Sequence, residues 1–120
     1  MKNLEDKLQE ACVRWFRYQY PDVVIFAIPN GGSRNKIEAA KLKRTGTLSG
    51  VADLFVMYPK WSQGVGMADY YGLFIELKIG KNKQTESQIK FADNALKAGY
   101  TCVVCRSIDE FMQIVNDYLN

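Results

Sequence analysis

Residues 71–78 read Tyr-Gly-Leu-Phe-Ile-Glu-Leu-Lys, an apolar strand pattern that ends in two opposite charges. Alternation along a β-strand places Glu76 and Lys78 on the same face, side by side. Charges inside a sheet are costly to bury unless they are paired or bind a metal ion. The pattern therefore indicates either an ordinary charge pair on an edge strand or a functional site.

A further acid lies on the preceding predicted strand, residues 51–58, which read Val-Ala-Asp-Leu-Phe-Val-Met-Tyr. We expect the two strands to be neighbours, so that Asp53 and Glu76 meet at one end of the sheet. Two carboxylates there could bind a hard divalent cation through oxygen. Such an ion can activate water and polarise a phosphate, while Lys78 stabilises negative charge. Alternatively, Asp53 is a turn residue after Ser49-Gly50.

The rest of the chain is predicted to complete one α/β domain over residues 1–120. The order of elements implies a central mixed sheet of four strands flanked by helices. The other predicted elements are a helix over about 3–19, a buried strand at 23–28, a basic helix at 36–44 ended near Gly46, a surface loop at 60–69, a helix opened by the capping box of Thr85 and Gln88, a strand at 100–105, and a helix opened by a second capping box at Ser107.

Composition removes several kinds of chemistry. The 120 residues include no histidine, which excludes serine and cysteine triads, His-ligated zinc hydrolases and histidine-based nucleases. Three cysteines indicate reduced thiols in a reducing compartment. Cys102 and Cys105 stand three apart in a predicted strand, so their sulfurs should point to opposite faces and not share a metal ion. The formal charge of +3 is compatible with a nucleic-acid partner.

Membrane and nucleotide partners are not expected. No apolar run approaches the roughly 20 residues that a bilayer span needs, and Met1–Glu10 lacks the apolar stretch of a signal peptide. The glycines of Asn30-Gly31-Gly32 precede no Gly-Lys-Ser/Thr element, so a P-loop for a nucleotide cofactor is unsupported. We therefore expect a cytoplasmic protein.

Motifs along nearly the whole chain resemble the virus-type replication-repair nuclease domain, VRR-NUC, of the PD-(D/E)XK superfamily. Ala52 replaces the proline that names the superfamily, but its side chain has no part in metal binding or proton transfer. The resemblance implies a restriction-endonuclease-like fold. It is carried by Glu5 with Gln9, Ile28-Pro29-Asn30-Gly31-Gly32-Ser33-Arg34, Gly46, Ser49-Gly50-Val51-Ala52-Asp53, Glu76-Leu77-Lys78 and Gln88.

The same resemblance implies the site chemistry. In this family the acids bind Mg²⁺ or Mn²⁺ and the lysine is catalytic. The implied catalytic residues here are Asp53, Glu76, Lys78 and Gln88. The implied metal site comprises Asp53, Glu76, Leu77 and Glu5.

Two of these positions have alternatives in the sequence itself. At about 100° per residue, Glu5 lies on the margin of the buried stripe of the first helix, whereas Glu10 faces away from it. Gln9, one turn after Glu5, could share the site or be solvated. Gln88 fits the N3 position of its capping box and could equally be a cap or an active-site contact.

The resemblance further implies cleavage of branched DNA, a Holliday junction or a flap, in replication, repair or recombination. A homodimer that makes paired nicks is expected, in a bacterial host cell and with a phage or prophage origin compatible with the virus-type domain. Alternatives are a restriction-like or exonucleolytic nuclease without junction preference, and a DNA-binding module that no longer cuts. Clustered acids facing a polyanion argue against the last.

Predicted DNA contacts surround the acids. Cations there would hold phosphates without reading sequence. The residues expected to contact DNA are Asn30, Gly31, Ser33, Arg34, Lys36, Lys81 and Lys83, with Lys41, Lys43 and Arg44 nearby.

Overall fold

The computed structural model describes residues 3–29, 35–64 and 66–120. Over these residues none of the helices is long and apolar enough to cross a membrane. The elements follow in the order α1 (Leu4–Gln19), β1 (Val24–Ala27), α2 (Lys36–Arg44), β2 (Leu54–Met57), β3 (Lys60–Trp61), β4 (Ala68–Tyr70), β5 (Leu73–Leu77), α3 (Glu86–Lys97), β6 (Thr101–Cys105) and α4 (Ile108–Leu119).

The central sheet has four strands in the order β1-β2-β5-β6. The first two neighbouring pairs are antiparallel, whereas β5 and β6 are parallel and are joined through α3. A parallel pair needs such a crossover, because a tight turn can only reverse the chain. The predicted mixed four-stranded sheet flanked by helices is confirmed, and so is the pairing of β2 with β5.

One face of the sheet forms the hydrophobic core with α1 and α4. The β5 side chains of Leu73, Ile75 and Leu77 are at most 1% exposed. They belong to the same buried cluster as Phe16 of α1 and Phe111 of α4, whose ring centroids lie 6.5 Å apart. Burial of this apolar surface holds the two helices against the sheet.

The opposite face carries a row of aromatic rings that runs from β1 across β2 and β5 to Tyr100, the residue directly before β6. Successive ring centroids are 5.6, 4.5 and 5.7 Å apart in the order Phe26, Phe55, Phe74 and Tyr100. Phe91 of α3 covers the row through an edge contact with Phe74 at 5.0 Å. Alternation along β5 places Glu76 on this aromatic face, and Lys78, directly after the strand, follows on the same side.

Two predicted elements differ in the structure. The segment 23–28 is not a buried strand: β1 lies at the sheet edge, where only Ile25 is buried and Val24 and Phe26 are 48% and 42% exposed. The segment 60–69 is not a simple loop, because β3 and β4 pair as a short antiparallel hairpin. The edge position of β1 depends on pairing with a distant segment of the chain, whereas the hairpin of β3 and β4 is a local pairing within a segment of mixed polarity.

Helix caps follow the sequence closely, with one exception. Thr85 forms the predicted reciprocal capping box with Gln88. At the start of α4, Ser107 Oγ accepts a hydrogen bond from the Glu110 backbone N–H, but Glu110 accepts from the backbone of Arg106 instead of returning the bond to Ser107. The second predicted capping box is therefore only half formed.

Candidate active site

The pairing of β2 with β5 brings the two strand acids together. Leu54 lies opposite Ile75 in the antiparallel register, so one further step places Asp53 opposite Glu76. Asp53 Oδ2 accepts a hydrogen bond of 2.7 Å from the Leu77 backbone N–H. The carboxylate of Asp53 is therefore held across the strand pair, directly against β5.

Glu76 is buried in an environment that resists its negative charge. Its side chain is 3% exposed. Burial raises the pKa of Glu76 to about 8. The charge of Asp53, a hydrogen bond with Asp53 and the charge of Glu5 raise this pKa by smaller amounts, whereas the charge of Lys78 lowers it. Two carboxyl groups this close need a proton or a cation between them.

Lys78 continues the same face of the chain beyond Glu76. The side chain is 8% exposed, and its backbone N–H donates a 3.0 Å hydrogen bond to the Cys105 carbonyl of β6. Since β5 has a neighbour on each side, the interpretation of Glu76 and Lys78 as an edge-strand pair is wrong. Two buried charges at an interior strand are costly unless they are paired with each other or bind a ligand.

Gln88 has both of the roles that the sequence left open. Its Oε1 accepts from the Thr85 backbone N–H at 2.9 Å, and its own backbone N–H donates to Thr85 Oγ1 at 3.2 Å. The other end of the side-chain amide, Nε2, donates to Glu76 Oε2 at 3.1 Å. One side chain therefore caps α3 and orients the buried acid.

Gly50 allows the loop before β2 to approach the start of α3. Its φ is +89°, and a Cβ there would lie 2.4 Å from the carbonyl carbon and oxygen of Ser87. Ser49 Oγ also donates to Ser87 Oγ at 3.3 Å. The glycine of the Ser-Gly-Val-Ala-Asp motif is thus needed for a close backbone contact between the loop that leads to Asp53 and the start of α3.

The first helix contributes as the helical spacing predicts. Glu5 and Gln9 are half-buried, whereas Glu10 is exposed. The charge of Glu5 acts on Glu76, which places it near the two strand acids. Leu4 is 63% exposed, so the buried stripe of α1 begins later than its first leucine.

A divalent cation fits the chemistry of this donor set. Asp53 and Glu76, which lie opposite each other in the strand register, supply carboxylate oxygens, the ligand type that Mg²⁺ and Mn²⁺ prefer. Leu77 could add only its backbone carbonyl, because its side chain is apolar. Over the described residues no preformed group of three or more His, Cys, Asp or Glu side chains surrounds a metal position. The assignment of Glu5 and Leu77 to the metal site stays a prediction.

The two cysteines of the Cys-Val-Val-Cys segment do not contribute a metal or redox site. Cys105 is buried, Cys102 is half-buried and both are free. Burial raises the pKa of Cys105 to about 12 and that of Cys102 to about 11, with the charges of Glu76 and Asp53 adding to the latter. Both thiols stay protonated at neutral pH, so a thiolate metal site or redox centre is disfavoured, as strand alternation predicts.

The predicted DNA contacts are only partly visible. Asn30, Gly31, Ser33 and Arg34 lie outside the described residues. Lys36, on the first turn of α2, and Lys81 and Lys83, after the active-site strand, are all exposed.

Arg106 is a residue that sequence reasoning missed. Its Nη1 donates to the Gly80 and Asn82 carbonyls at 2.9 and 2.8 Å, so it braces the loop that carries Lys81. The parallel register pairs Leu77 with Cys105, and one more step sets Arg106 beside Lys78. Only the register of β5 with β6 indicates that Arg106 lies near the active site, and the sequence alone does not give that register.

The whole chain is similar to a solved structure described as "VRR_NUC domain protein". The TM-score is 0.75 and the sequence identity is 28%, over 99% of this chain and 91% of that one. No protein-family model matches the chain, and no curated protein matches it either. The resemblance to the VRR-NUC domain inferred from the motifs is confirmed by this structural match.

Proposed function

We propose that this chain is a divalent-metal-dependent DNA nuclease that hydrolyses phosphodiester bonds. The VRR-NUC match supports a nuclease domain. The observation that carries the chemical proposal is the buried carboxyl group of Glu76 opposite the half-buried Asp53, with the buried Lys78 directly after the same interior strand. A purely structural sheet gains nothing from three ionisable groups in that position, because each must be desolvated.

Each residue of the site has a distinct task in this proposal. Asp53 and Glu76 would hold Mg²⁺ or Mn²⁺ through their carboxylate oxygens. When bound, the ion supplies Lewis acidity toward a phosphate oxygen and lowers the pKa of a water molecule. Lys78 orients the attacking water and stabilises the negative charge that develops on the phosphate. Gln88 keeps Glu76 in the rotamer that this arrangement requires.

Branched DNA is the substrate that we propose, cut during replication, repair or recombination in a bacterial cytoplasm. One site cuts one strand, whereas a four-way junction needs two cuts related by approximate two-fold symmetry. A homodimer would supply both sites. Trp61 and Tyr71 are 56% and 62% exposed and offer aromatic contact surface, whereas Tyr70 is half-buried against the core.

The proposal is tested with labelled duplex, flap and four-way-junction DNA. Cleavage should require Mg²⁺ or Mn²⁺ and be weak with Ca²⁺, which prefers longer and looser oxygen coordination. Paired nicks in the junction, together with a dimer in light scattering, would support the junction assignment. A monomer that processes flaps and leaves junctions uncut would contradict it, and undiminished cutting in excess chelator would contradict the metal-dependent mechanism.

A further inference from the structure

The helix α2 has little structural support from the rest of the described chain. None of its nine residues is buried, and Ile37 is 85% exposed. Leu42 is its one half-buried residue. Asn35 caps the helix by accepting from the Glu38 backbone N–H at 2.7 Å. A helix this short is marginal in water without tertiary packing, so a cap alone is weak support.

The charges of α2 are unusually one-sided. It has a single acid, Glu38, and over the described residues no ion-pair partner is found for any of its cations. Like charges three or four residues apart destabilise an isolated helix. A partner that brings negative charge would therefore stabilise α2. The cations are Lys36, Lys41, Lys43 and Arg44.

The exposed face of α2 is also the basic face. With about 100° of rotation per residue, all four cations of α2, Lys36, Lys41, Lys43 and Arg44, lie within about 80° of the direction opposite Leu42. The two helix residues nearest that direction are Ala40 and Arg44, and the exposed Ile37 lies about 40° from it. The half-buried side is turned inward and the cations outward.

The C-terminal end of α2 leads directly to the active site. Thr45 ends the helix by donating from its backbone N–H to the Lys41 carbonyl. A few residues later, Ser49 and Gly50 contact Ser87 at the start of α3. The basic face is therefore attached, through one short segment, to the loop that positions Asp53.

We propose that α2 binds the phosphate backbone of a DNA duplex beside the cut strand, and that this contact stabilises the helix. The inference rests on the proposed nuclease function and assigns the duplex arm of the substrate to one surface. Cations without directed acceptor partners suit a repeating polyanion, which they grip without reading bases. A second copy of the chain fits this surface poorly, because a two-fold contact would set the same cations against each other.

The salt dependence of binding tests this surface. Labelled duplex is titrated with protein in chelator across a sodium chloride series, for wild type and for the triple variant K36Q/K41Q/R44Q. Each lost phosphate contact removes about 0.9 from the slope of log affinity against log salt, so the slope should fall by roughly 2 to 3. The matched control, K7Q/R14Q/K97Q, removes the same charge from exposed positions on α1 and α3 and should change the slope by less than about 1.

A second readout follows the helix itself. Amide exchange over residues 36–44 of the wild-type protein should slow when duplex is added, because bound phosphates neutralise the repulsion within α2. Equal slopes for the triple variant and its control, or exchange unchanged by DNA, would overturn the proposal. A triple variant that alters the oligomeric state but not the slope would overturn it as well. Metal-dependent cutting by wild type is measured separately, so absence of cutting with a reduced slope would contradict only the nuclease assignment.

Discussion

Alternate residues of β5 face two environments with opposite physical demands. Leu73, Ile75 and Leu77 are sealed into the core with α1 and α4, where each contributes apolar burial. Glu76 and Lys78 are almost as deeply buried on the other face, where desolvation opposes their charges. Burial alone therefore does not identify a stabilising residue: the apolar side of this strand stabilises the fold, whereas burial of the charged side opposes stability.

The largest expected effect is the loss of cleavage when a residue on the charged side is substituted. Asp53→Asn, Glu76→Gln and Lys78→Ala should each lower the cleavage rate by at least about 10³-fold, because metal and electrostatic stabilisation supply several kcal/mol to phosphate hydrolysis. Circular dichroism should remain that of wild type, since the three side chains lie outside the hydrophobic core cluster. Asp69→Asn, an exposed acid on the hairpin, is the matched control. Wild-type cutting by any of the three variants would remove that residue from the active site.

The core face should give the reverse pattern. Ile75→Ala leaves a cavity beneath the active site and should lower the free energy of unfolding by about 2–5 kcal/mol. Cleavage measured well below the melting temperature should stay within a few-fold of wild type, because the side chain points away from Glu76. Urea unfolding and single-turnover cutting measure the two effects. A large loss of rate in folded protein would show that the two faces are coupled and not separable.

The buried Glu76 should also make the stability of the fold depend on pH. Burial raises the pKa of Glu76 to about 8, whereas an unfolded glutamate titrates near 4.3. Within that window the folded state holds a proton that the unfolded state has lost, so stability should fall as the pH rises from about 4.3 to 8. The expected loss is on the order of a few kcal/mol.

Urea unfolding of the wild-type protein at pH 5 and pH 8, in chelator, measures this loss of stability. Glu76→Gln cannot titrate and should lose much of the difference between the two pH values. For the wild-type protein, adding Mg²⁺ in excess of chelator at pH 8 should raise the free energy of unfolding, because a ligand that binds only the folded state shifts the equilibrium toward it. A pH dependence identical in both proteins would mean that other groups produce it.

The local patterns were sufficient to predict much of this arrangement. Strand alternation placed Glu76 and Lys78 on one face, and the neighbouring strands brought Asp53 to them. Helix spacing likewise separated Glu5 from Glu10. These features depend on the geometry of single elements, which the order of residues determines directly.

Other features depend on contacts between distant segments, which periodicity does not encode. The β-branched run at 23–28 has the composition of a buried strand, yet its position at the sheet edge follows from which strand it pairs with. The close approach of Gly50 to Ser87 and the two bonds from Arg106 to the loop after Lys78 likewise require the assembled fold. A glycine or arginine at those positions has no distinctive local pattern.

The smallest expected effect separates the two roles of Gln88. Gln88→Glu keeps an oxygen that can accept from the Thr85 backbone N–H, but it removes the donor to Glu76 and sets a negative charge beside it. Cleavage should fall by about 10- to 100-fold, as for other residues that orient a metal ligand. Unfolding should change little, because the cap of α3 survives.

Thr85→Ala is the complementary variant. It removes the hydroxyl that accepts from the Gln88 backbone N–H and should cost about 1 kcal/mol of stability. The Gln88 contact with Glu76 remains, so the cutting rate of the folded protein should stay near wild type. Cutting rates and urea midpoints are measured for both variants. The rate should fall in Gln88→Glu, and the urea midpoint should fall in Thr85→Ala. If Thr85→Ala slowed cutting as much as Gln88→Glu, the start of α3 would be positioning Glu76 as a whole, and the separate role of the Gln88 amide would be wrong.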